Sequence, residues 1–400
     1  MRPYIKIIII AAIIIVAGLV VYFAWNWLSG SPTAPNASTS SAPYFPLAGL
    51  TSTSTGTNTA GATAASGTAV GTLTRVSDRP ASFFWVNPAT QEVFYLDQNG
   101  LVWQAEPDQK NPQITQQGVA AVNFIKSSPD NNSILAAFGD PQNPSWGIYD
   151  AIDQVWRPLP ANILQATWGA NSQTLIATVQ NGSNVNLVSL DLTKTPPQPK
   201  IIINDFRFLD TRFDFVPPNT LLVEEKGSAN YASRIWSLNL KTLTMSLIIG
   251  PANGLTIKTT TNGSTLVTYS AANGFQILSS QTLQNLAPIP FTTLPSKCSI
   301  DSGATIYCFV PTDSDFKNAS LPDDYIEHKL YTTDTLYAID TQNGSTAPLP
   351  IPANAIGSID GKDPALAGSN LYFINRLDGY LYALQVPANA SGAINGEYSD

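Results

Sequence analysis

The sequence predicts an all-β fold, a seven-bladed β-propeller of four-stranded antiparallel blades, preceded by one transmembrane helix and a disordered linker. Two observations predict the propeller. Apolar stretches of strand length alternate with turns rich in Asn, Asp, Pro and Gly over residues 70–387. These stretches form about seven similar units, and their spacing is typical of propeller blades. The helix is predicted by a long apolar run near the N-terminus.

The composition excludes several classes of function. The chain has 400 residues and a formal net charge of −8, which argues against a nucleic-acid partner because phosphates are neutralised by Lys and Arg. Its one histidine, His328, excludes most hydrolase triads and multi-histidine zinc sites. The sequence contains no phosphate-binding loop, nucleophile elbow or Cys/His cluster. We therefore predict no catalytic residues, no metal and no cofactor.

Residues 7–28 form the predicted membrane segment, in which only Asn26 is polar. A bilayer core of about 30 Å needs about 20 apolar residues in a helix. Arg2 and Lys6 precede the segment, so the positive-inside rule places residues 1–6 in the cytoplasm and the remainder outside. The predicted location is the plasma membrane, with a single pass and an extracytoplasmic propeller. A cleaved signal peptide is the alternative, although its apolar core is usually only about 7–15 residues.

Residues 29–69 form the predicted linker. They contain no Lys, Arg, Asp or Glu and consist mainly of Ser, Thr, Ala, Gly and Pro, a composition that predicts disorder. Residues 43–50, PYFPLAGL, are a short apolar segment within the linker. This segment either has no role or is a peptide that docks on the propeller or on a neighbouring protein. Residues 388–400 are predicted to be a flexible C-terminal tail.

The repeats are recognised by a third strand that ends in an Asp, Asn or Ser turn and is followed by a fourth strand. The predicted blades are residues 82–115, 119–160, 163–203, 206–250, 254–290, 293–350 and 355–386. The last blade has only three obvious strands, and an extra strand at 71–76 precedes the first. We expect residues 71–76 to complete the last blade and close the ring, because closure removes exposed sheet edges. Six or eight blades remain possible.

The turn between the first two strands of the second blade carries a family resemblance. Residues 127–133, SSPDNNS, precede the apolar strand ILAAF. This pattern resembles the TolB-type, WD40-like repeat, whose hairpin contains Ser-Pro-Asp-Gly, with Asn131 here in place of the glycine. Later copies diverge further, at 169–172 and 261–264. The resemblance implies a propeller that serves as a binding platform or accessory domain.

Cys298 and Cys308, the only cysteines, flank a predicted tight turn. An even pair outside the cytoplasm is expected to form a disulfide, and two buried thiols in adjacent strands are the alternative. Residues 299–305 between them resemble the Asp-box of sialidases, although Ile306 replaces the aromatic residue of that motif. The box is a structural turn, so it does not by itself imply sialidase activity.

Residues 311–335 form an insertion between the second and third strands of the sixth blade, and we call them the insertion. Long loops on a rigid scaffold are often functional. Its acidic residues could bind calcium, but their spacing does not fit the twelve-residue calcium loop, and a solvated loop explains them equally. The second-to-third strand loops of a propeller share one face. The residues predicted to contact a partner on this face are Asp323, Asp324, Tyr325, His328, Tyr331, Trp146, Tyr231, Arg234 and Arg376.

Three functions fit these observations. The first is a non-enzymatic binding or scaffolding module for a protein or glycan at the cell surface, attached to the membrane through residues 7–28. The second is a glycan hydrolase or lyase that uses paired carboxylates at the mouth of the channel. The third is a TolB-like subunit of an envelope complex. The seven Asn-x-Ser/Thr sequons leave glycosylation open.

Overall fold

The computed structural model describes residues 71–386, except 88, 108–109, 209, 261–262, 287, 301–303 and 353–355. The predicted cytoplasmic terminus, membrane segment, linker and C-terminal tail lie outside the described residues. Within the described residues no helix is long and apolar enough to cross a bilayer.

The described residues form 26 strands, two short α-helices and one 3₁₀ turn. The strands of the first half are β1 Leu73–Arg75, β2 Phe83–Val86, β3 Val93–Leu96, β4 Val102–Gln104, β5 Val122–Ser127, β6 Ser133–Phe138, β7 Ser145–Asp150, β8 Val155–Pro158, β9 Ile163–Trp168, β10 Thr174–Asn181, β11 Asn184–Asp191, β12 Gln198–Ile203, β13 Thr211–Val216, β14 Thr220–Glu225, β15 Ala232–Asn239 and β16 Thr244–Asn253. The remaining elements are β17 Thr256–Thr259, β18 Thr265–Ser270, β19 Gly274–Ser279, the 3₁₀ turn Pro295–Lys297, β20 Cys298–Ser299, β21 Thr305–Pro311, α1 Ser314–Asn318, α2 Asp323–Ile326, β22 Asp334–Asp340, β23 Thr346–Leu349, β24 Gly361–Ala367, β25 Asn370–Asn375 and β26 Leu381–Gln385.

These strands form seven antiparallel sheets, which confirms the all-β, seven-bladed propeller. Blades 1 to 6 are β2–β4, β5–β8, β9–β12, β13–β16, β17–β19 and β20–β23, and blade 7 is β24–β26 with β1. Blades 1 and 5 have three strands each, and a single bridge takes the place of the fourth, Trp103 with Gln113 and Leu278 with Asn285. Pro112 and Pro288 beside these bridges cannot donate to a ladder, which is a physical reason for the shortened pairing.

The ring closes as expected. β1 pairs antiparallel with β26 in the register Leu73 to Leu384, Thr74 to Ala383 and Arg75 to Tyr382. The N-terminal strand thus supplies the outermost strand of blade 7, and pairing across the seam connects the first and last parts of the propeller.

The turn with the family resemblance forms through its own side chains. The Asp130 Oδ1 atom accepts hydrogen bonds from the Ser128 hydroxyl at 2.6 Å and from the Asn132 amide at 3.1 Å. Asn131 adopts a φ of 58°, the left-handed conformation for which glycine is usual. Asparagine tolerates this conformation better than most residues, so the replacement of Gly by Asn131 preserves the turn.

The cores of the propeller lie between adjacent blades rather than at its centre. Leu135 of blade 2 packs with Trp168 and Leu175 of blade 3 in one apolar cluster. Between blades 6 and 7 the rings of Phe309 and Phe373 are 4.6 Å apart. Many strands are therefore apolar on both faces, because each face is covered by a neighbouring blade.

The predicted disulfide is present. Cys298 on β20 lies directly opposite Cys308 on β21, and both residues are fully buried. Residues 301–303 of the Asp-box lie outside the described residues, whereas Ile306, which stands at the aromatic position, is fully buried in the core shared with Cys298 and Cys308.

Replacing both cysteines with alanine is expected to lower the free energy of unfolding by about 2–3 kcal/mol, because the crosslink closes a short loop in the unfolded chain. Urea unfolding followed by tryptophan fluorescence measures this change. Dithiothreitol should destabilise the unmodified protein and leave the double alanine variant unchanged. Equal unfolding midpoints for the unmodified protein with and without dithiothreitol would contradict the prediction.

Candidate functional site

The insertion folds onto the propeller through its own apolar residues. Phe316 on α1, Leu321 between the helices and Tyr325 on α2 are all buried. They pack with Tyr269 of blade 5 and with Leu294, which precedes blade 6. The insertion therefore has a defined position over blades 5 and 6.

A buried ionic cluster lies beneath the insertion. The Lys297 Nζ atom is 2.6 Å from the Asp360 Oδ1 atom and 2.8 Å from the Asp334 Oδ2 atom, and all three side chains are fully excluded from solvent. The other oxygen of Asp360 is 2.9 Å from the Arg376 guanidinium. Two cations and two carboxylates thus balance in a dry environment, and we call these four residues the buried ionic cluster.

The backbone and burial keep these charges in place. The Thr332 and Gly361 amides donate to Asp360 at 3.1 Å and to Asp334 at 2.8 Å. Burial raises the pKa of Asp334, and the Lys297 ammonium opposes this effect. Burial acts to lower the pKa of Lys297, but its anionic neighbours, including Asp334, outweigh burial and raise it. The charges of Lys297 and Asp334 are therefore stabilised mainly by their oppositely charged neighbours and not by solvent.

Arg376, from the β25–β26 loop of blade 7, connects this cluster to the insertion. Its guanidinium donates to the Tyr325 carbonyl at 2.8 Å and lies over the Tyr325 ring at 3.7 Å from the centroid. It also lies 4.9 Å from the centre of the Tyr331 ring and 3.3 Å from the His328 Nδ1 atom. Burial and the Arg376 charge lower the pKa of His328, so this histidine is neutral at pH 7.

A second attachment connects the insertion to the β14–β15 loop of blade 4. The Asp323 carboxylate accepts hydrogen bonds from the Ser228 hydroxyl at 2.8 Å and the Ala229 amide at 3.1 Å. The Asp324 carboxylate accepts from the Ser320 amide at 2.8 Å. In the part of the chain that the structure describes, no three His, Cys, Asp or Glu side chains are grouped to hold a metal ion.

The contacts bring together three second-to-third strand loops, those of blades 4, 6 and 7, on one face. Of the nine predicted residues, Tyr325, His328, Tyr331 and Arg376 form one group, and Asp323 connects them to blade 4. Tyr231 is exposed on the blade 4 loop, and Arg234 on β15 lies 3.4 Å from the Glu225 carboxylate.

Two of the predicted contact residues require correction. Trp146 is buried between blades 2 and 3 against Phe124 and is not available on this face, because alternation along β7 directs it into the inter-blade core. Tyr325 is also buried, so it holds the insertion in place instead of presenting its ring to a partner.

Four large hydrophobic side chains are exposed on the insertion and on the adjoining loops of blades 4 and 7. We call these residues, Ile326, Tyr331, Leu377 and Tyr231, the insertion patch. Ile326 follows Tyr325 on α2 and Leu377 follows Arg376, whereas Tyr331 lies beside the Arg376 guanidinium. The exposed fractions are 62% for Ile326, 47% for Tyr331, 46% for Leu377 and 52% for Tyr231. Ile326 and Leu377 were not predicted from the sequence, because an isolated apolar residue in a one-turn helix or a turn gives no periodic signal.

The buried ionic cluster was also missed, although it contains paired carboxylates. Asp334 and Asp360 share Lys297, yet neither has any accessible side-chain surface. A glycan cannot reach them, so this pair does not support the hydrolase alternative.

Comparison with known proteins supports the fold. No protein-family model and no curated protein matches the chain. The β-propeller domain of Swd1 (Cps50) from Myceliophteria thermophila aligns with 78% of this chain and 98% of its own, at 12% identity and a TM-score of 0.51. This similarity shows the propeller fold alone.

Two further solved structures align less closely. A chain of a mitotic checkpoint complex covers 89% of this chain and 99% of its own at 12% identity, with a TM-score of 0.49. An oligogalacturonate lyase in complex with manganese covers 79% of this chain and 91% of its own at 13% identity, also with a TM-score of 0.49. Scores at this level support no argument about function.

Proposed function

We propose that the protein is a non-enzymatic binding module that holds a protein partner on the insertion patch. In this proposal residues 7–28 anchor the chain in the plasma membrane and residues 29–69 carry the propeller away from it on the extracytoplasmic side. The anchor and its orientation rest on the apolar run and on Arg2 and Lys6 that precede it.

One observation carries the proposal. Apolar side chains are exposed on an insertion that is itself fixed to blade 7 by Arg376 and to blade 4 by Asp323. Exposed apolar side chains on a fixed surface lose little conformational entropy on binding, which favours a stable complex. Tyr331 suits the role of a central anchor, since tyrosine is enriched among residues that contribute most to binding.

The aliphatic members of the patch favour a protein partner over a glycan. Sugars commonly stack on aromatic faces, whereas Ile326 and Leu377 offer branched chains that complement an apolar protein surface. Capture of a glycan is therefore an outcome that would contradict the proposal.

A photo-crosslinking residue placed at Tyr331 or Leu377 is expected to give one discrete protein adduct on cells. The matched controls are Ile152 and Leu243, which are also exposed and lie in third-to-fourth strand turns on the opposite face. Ile326→Asp should reduce the Tyr331 adduct about tenfold or more, because a charge in an apolar interface costs over 1 kcal/mol. Mass spectrometry identifies the adduct.

Adducts of equal yield at all four positions would contradict the patch, as would an unchanged yield in Ile326→Asp. Recovery of the same partner within a stable membrane complex would support the form of the proposal in which the protein is a TolB-like envelope subunit.

A further inference from the structure

The innermost strands of the blades line the central channel, and charged side chains meet there. Lys126 on β5 of blade 2 forms an ion pair with Asp214 on β13 of blade 4. The second oxygen of Asp214 accepts a hydrogen bond of 2.6 Å from the Thr259 hydroxyl on β17 of blade 5. Because blade 3 lies between blades 2 and 4, the Lys126 side chain extends along the lumen to reach its partner. Asp214 is thereby engaged at both oxygens.

Arg212 lies two residues before Asp214 on the same face of β13. It is exposed, and the central carbon of its guanidinium lies 5.9 Å from the centre of the Phe124 ring on β5 of blade 2. Among the described residues no carboxylate forms an ion pair or hydrogen bond with Arg212. A guanidinium with five unused donors therefore faces the channel.

Glu224 on β14 is directly opposite Arg212 in the sheet. Its side chain is buried, with only 8% of the residue exposed, and no described residue hydrogen-bonds to its carboxyl group. A largely buried carboxyl group without a protein partner is costly, and native proteins usually satisfy such a group with ordered water or a bound ion or molecule.

The surroundings of Glu224 keep it protonated at neutral pH. Burial is the main cause that raises the pKa of Glu224, to about 8. The positive charge of Arg212 lowers this pKa, the negative charge of Asp214 raises it, and the positive charge of Lys126 lowers it. From the other packed elements, β15 places apolar Ile235 opposite Glu224, and Lys258 on β17 donates to the Cys298 carbonyl at 2.7 Å. Glu224 therefore carries an O–H donor on the same face of the sheet as Arg212.

We propose that Arg212, Glu224 and Phe124 form a channel site that binds a small organic carboxylate. Lys126 and Asp214 cancel each other, so Arg212 gives the site a net charge of about +1, matched to a monoanion. Its planar donor fork fits a carboxylate, and the protonated Glu224 donates a further hydrogen bond. The Phe124 ring, whose other contact is with Trp146 in the core between blades 2 and 3, is the apolar surface nearest to the Arg212 guanidinium that could contact the body of the ligand. This site is separate from the insertion patch and from the protein-binding role proposed above.

The site is suited to binding and not to hydrolysis. A glycosidase needs a free carboxylate as nucleophile or base opposite a carboxylic acid. Glu224 could be such an acid, but both oxygens of Asp214 are already engaged by Lys126 and Thr259.

Calorimetric titration of benzoate into the full chain in detergent, at about pH 6.5, tests the site. We expect saturable binding with one site per chain, and a loss of about tenfold or more in Arg212→Gln because a charge-assisted pair is removed. Arg157→Gln is the matched control, since it removes an exposed arginine on β8, the outermost strand of blade 2, away from the channel, and it should bind as the unmodified protein does. No saturable binding, equal affinity in Arg212→Gln, or binding of inorganic phosphate but not benzoate would overturn the proposal.

The pH dependence tests the part assigned to Glu224. Between about pH 6.5 and about pH 9 the affinity for benzoate should fall about tenfold, because Glu224 loses its proton through this range and then repels the ligand. Glu224→Gln keeps an N–H donor but cannot ionise, so its affinity should remain constant across the same range. An equal decline in Glu224→Gln, or no decline in the unmodified protein, would overturn the role of Glu224.

Discussion

Replacing Asp360 with alanine is expected to lower the free energy of unfolding by about 3–5 kcal/mol, because it leaves buried Lys297 and Arg376 with one carboxylate between them. The Lys297 ammonium loses its ion pair with Asp360 at 2.6 Å, and the Arg376 guanidinium loses its ion pair with Asp360 at 2.9 Å. The Thr332 amide also loses its acceptor. Chemical unfolding followed by tryptophan fluorescence measures the loss.

The same variant should release the insertion from the propeller. Trypsin is expected to cut after the exposed Lys317 and Lys329 faster than in the unmodified protein, because local opening exposes the backbone. Asp205→Ala is the control, since its ion pair with Arg207 is exposed and screened by solvent, so its loss should leave the unfolding midpoint almost unchanged. If Asp360→Ala and Asp205→Ala cost the same, the buried ionic cluster does not fasten the insertion.

Deleting residues 71–76 is expected to cost about 3–6 kcal/mol, because blade 7 loses its outermost strand and the seam of the ring loses apolar contacts. Val76 is buried in the cluster that joins blades 7 and 1, and Leu73 packs on the cluster between blades 6 and 7. The exposed edge of β26 would also promote association between chains. Chemical unfolding and light scattering measure the two effects.

Two proline variants separate strand pairing from loss of side chains. The Gln385 amide donates to the Thr72 carbonyl, and the Val76 amide donates to the Leu381 carbonyl. The two-residue period of an antiparallel pair then places the Thr74 amide in the ladder and directs the Arg75 amide outward. Thr74→Pro should cost about 2–4 kcal/mol and Arg75→Pro about 1 kcal/mol or less. Equal costs would mean that pairing with β26 does not hold the ring closed.

The architecture could be predicted from local patterns. The turn at 128–132 needs only neighbouring residues, since Asp130 and Asn131 satisfy and shape its backbone. The pairing of β1 with β26 followed from a missing strand at one end of the chain and a surplus strand at the other. The disulfide between Cys298 and Cys308 was predicted from the positions of the two cysteines on either side of a turn. In each case the interactions that determine the structure join residues close in sequence, or their positions are given by the repeating pattern of strands.

The site was predicted only in part. Tyr325, His328, Tyr331 and Arg376 were expected on one face and do meet there, because the fold places second-to-third strand loops together. The roles of these residues did not follow, since Tyr325 is buried and Trp146 lies in a different core. An aromatic residue next to a loop is equally compatible with exposure and with burial.

By itself the sequence indicated about seven blades, with six or eight still open, and predicted the closure of the ring and the position of the insertion, because repeat spacing and turn chemistry are local properties of the chain. Only the tertiary structure decided that Lys297, Asp334, Asp360 and Arg376 converge beneath the insertion, and that Arg212 and Glu224 have no ion-pair partner among the residues that the structure describes. These residues lie far apart in sequence or belong to strands whose neighbours are set by the ring. Whether a charge finds a partner depends on burial and distance, and both arise only when the blades pack against one another.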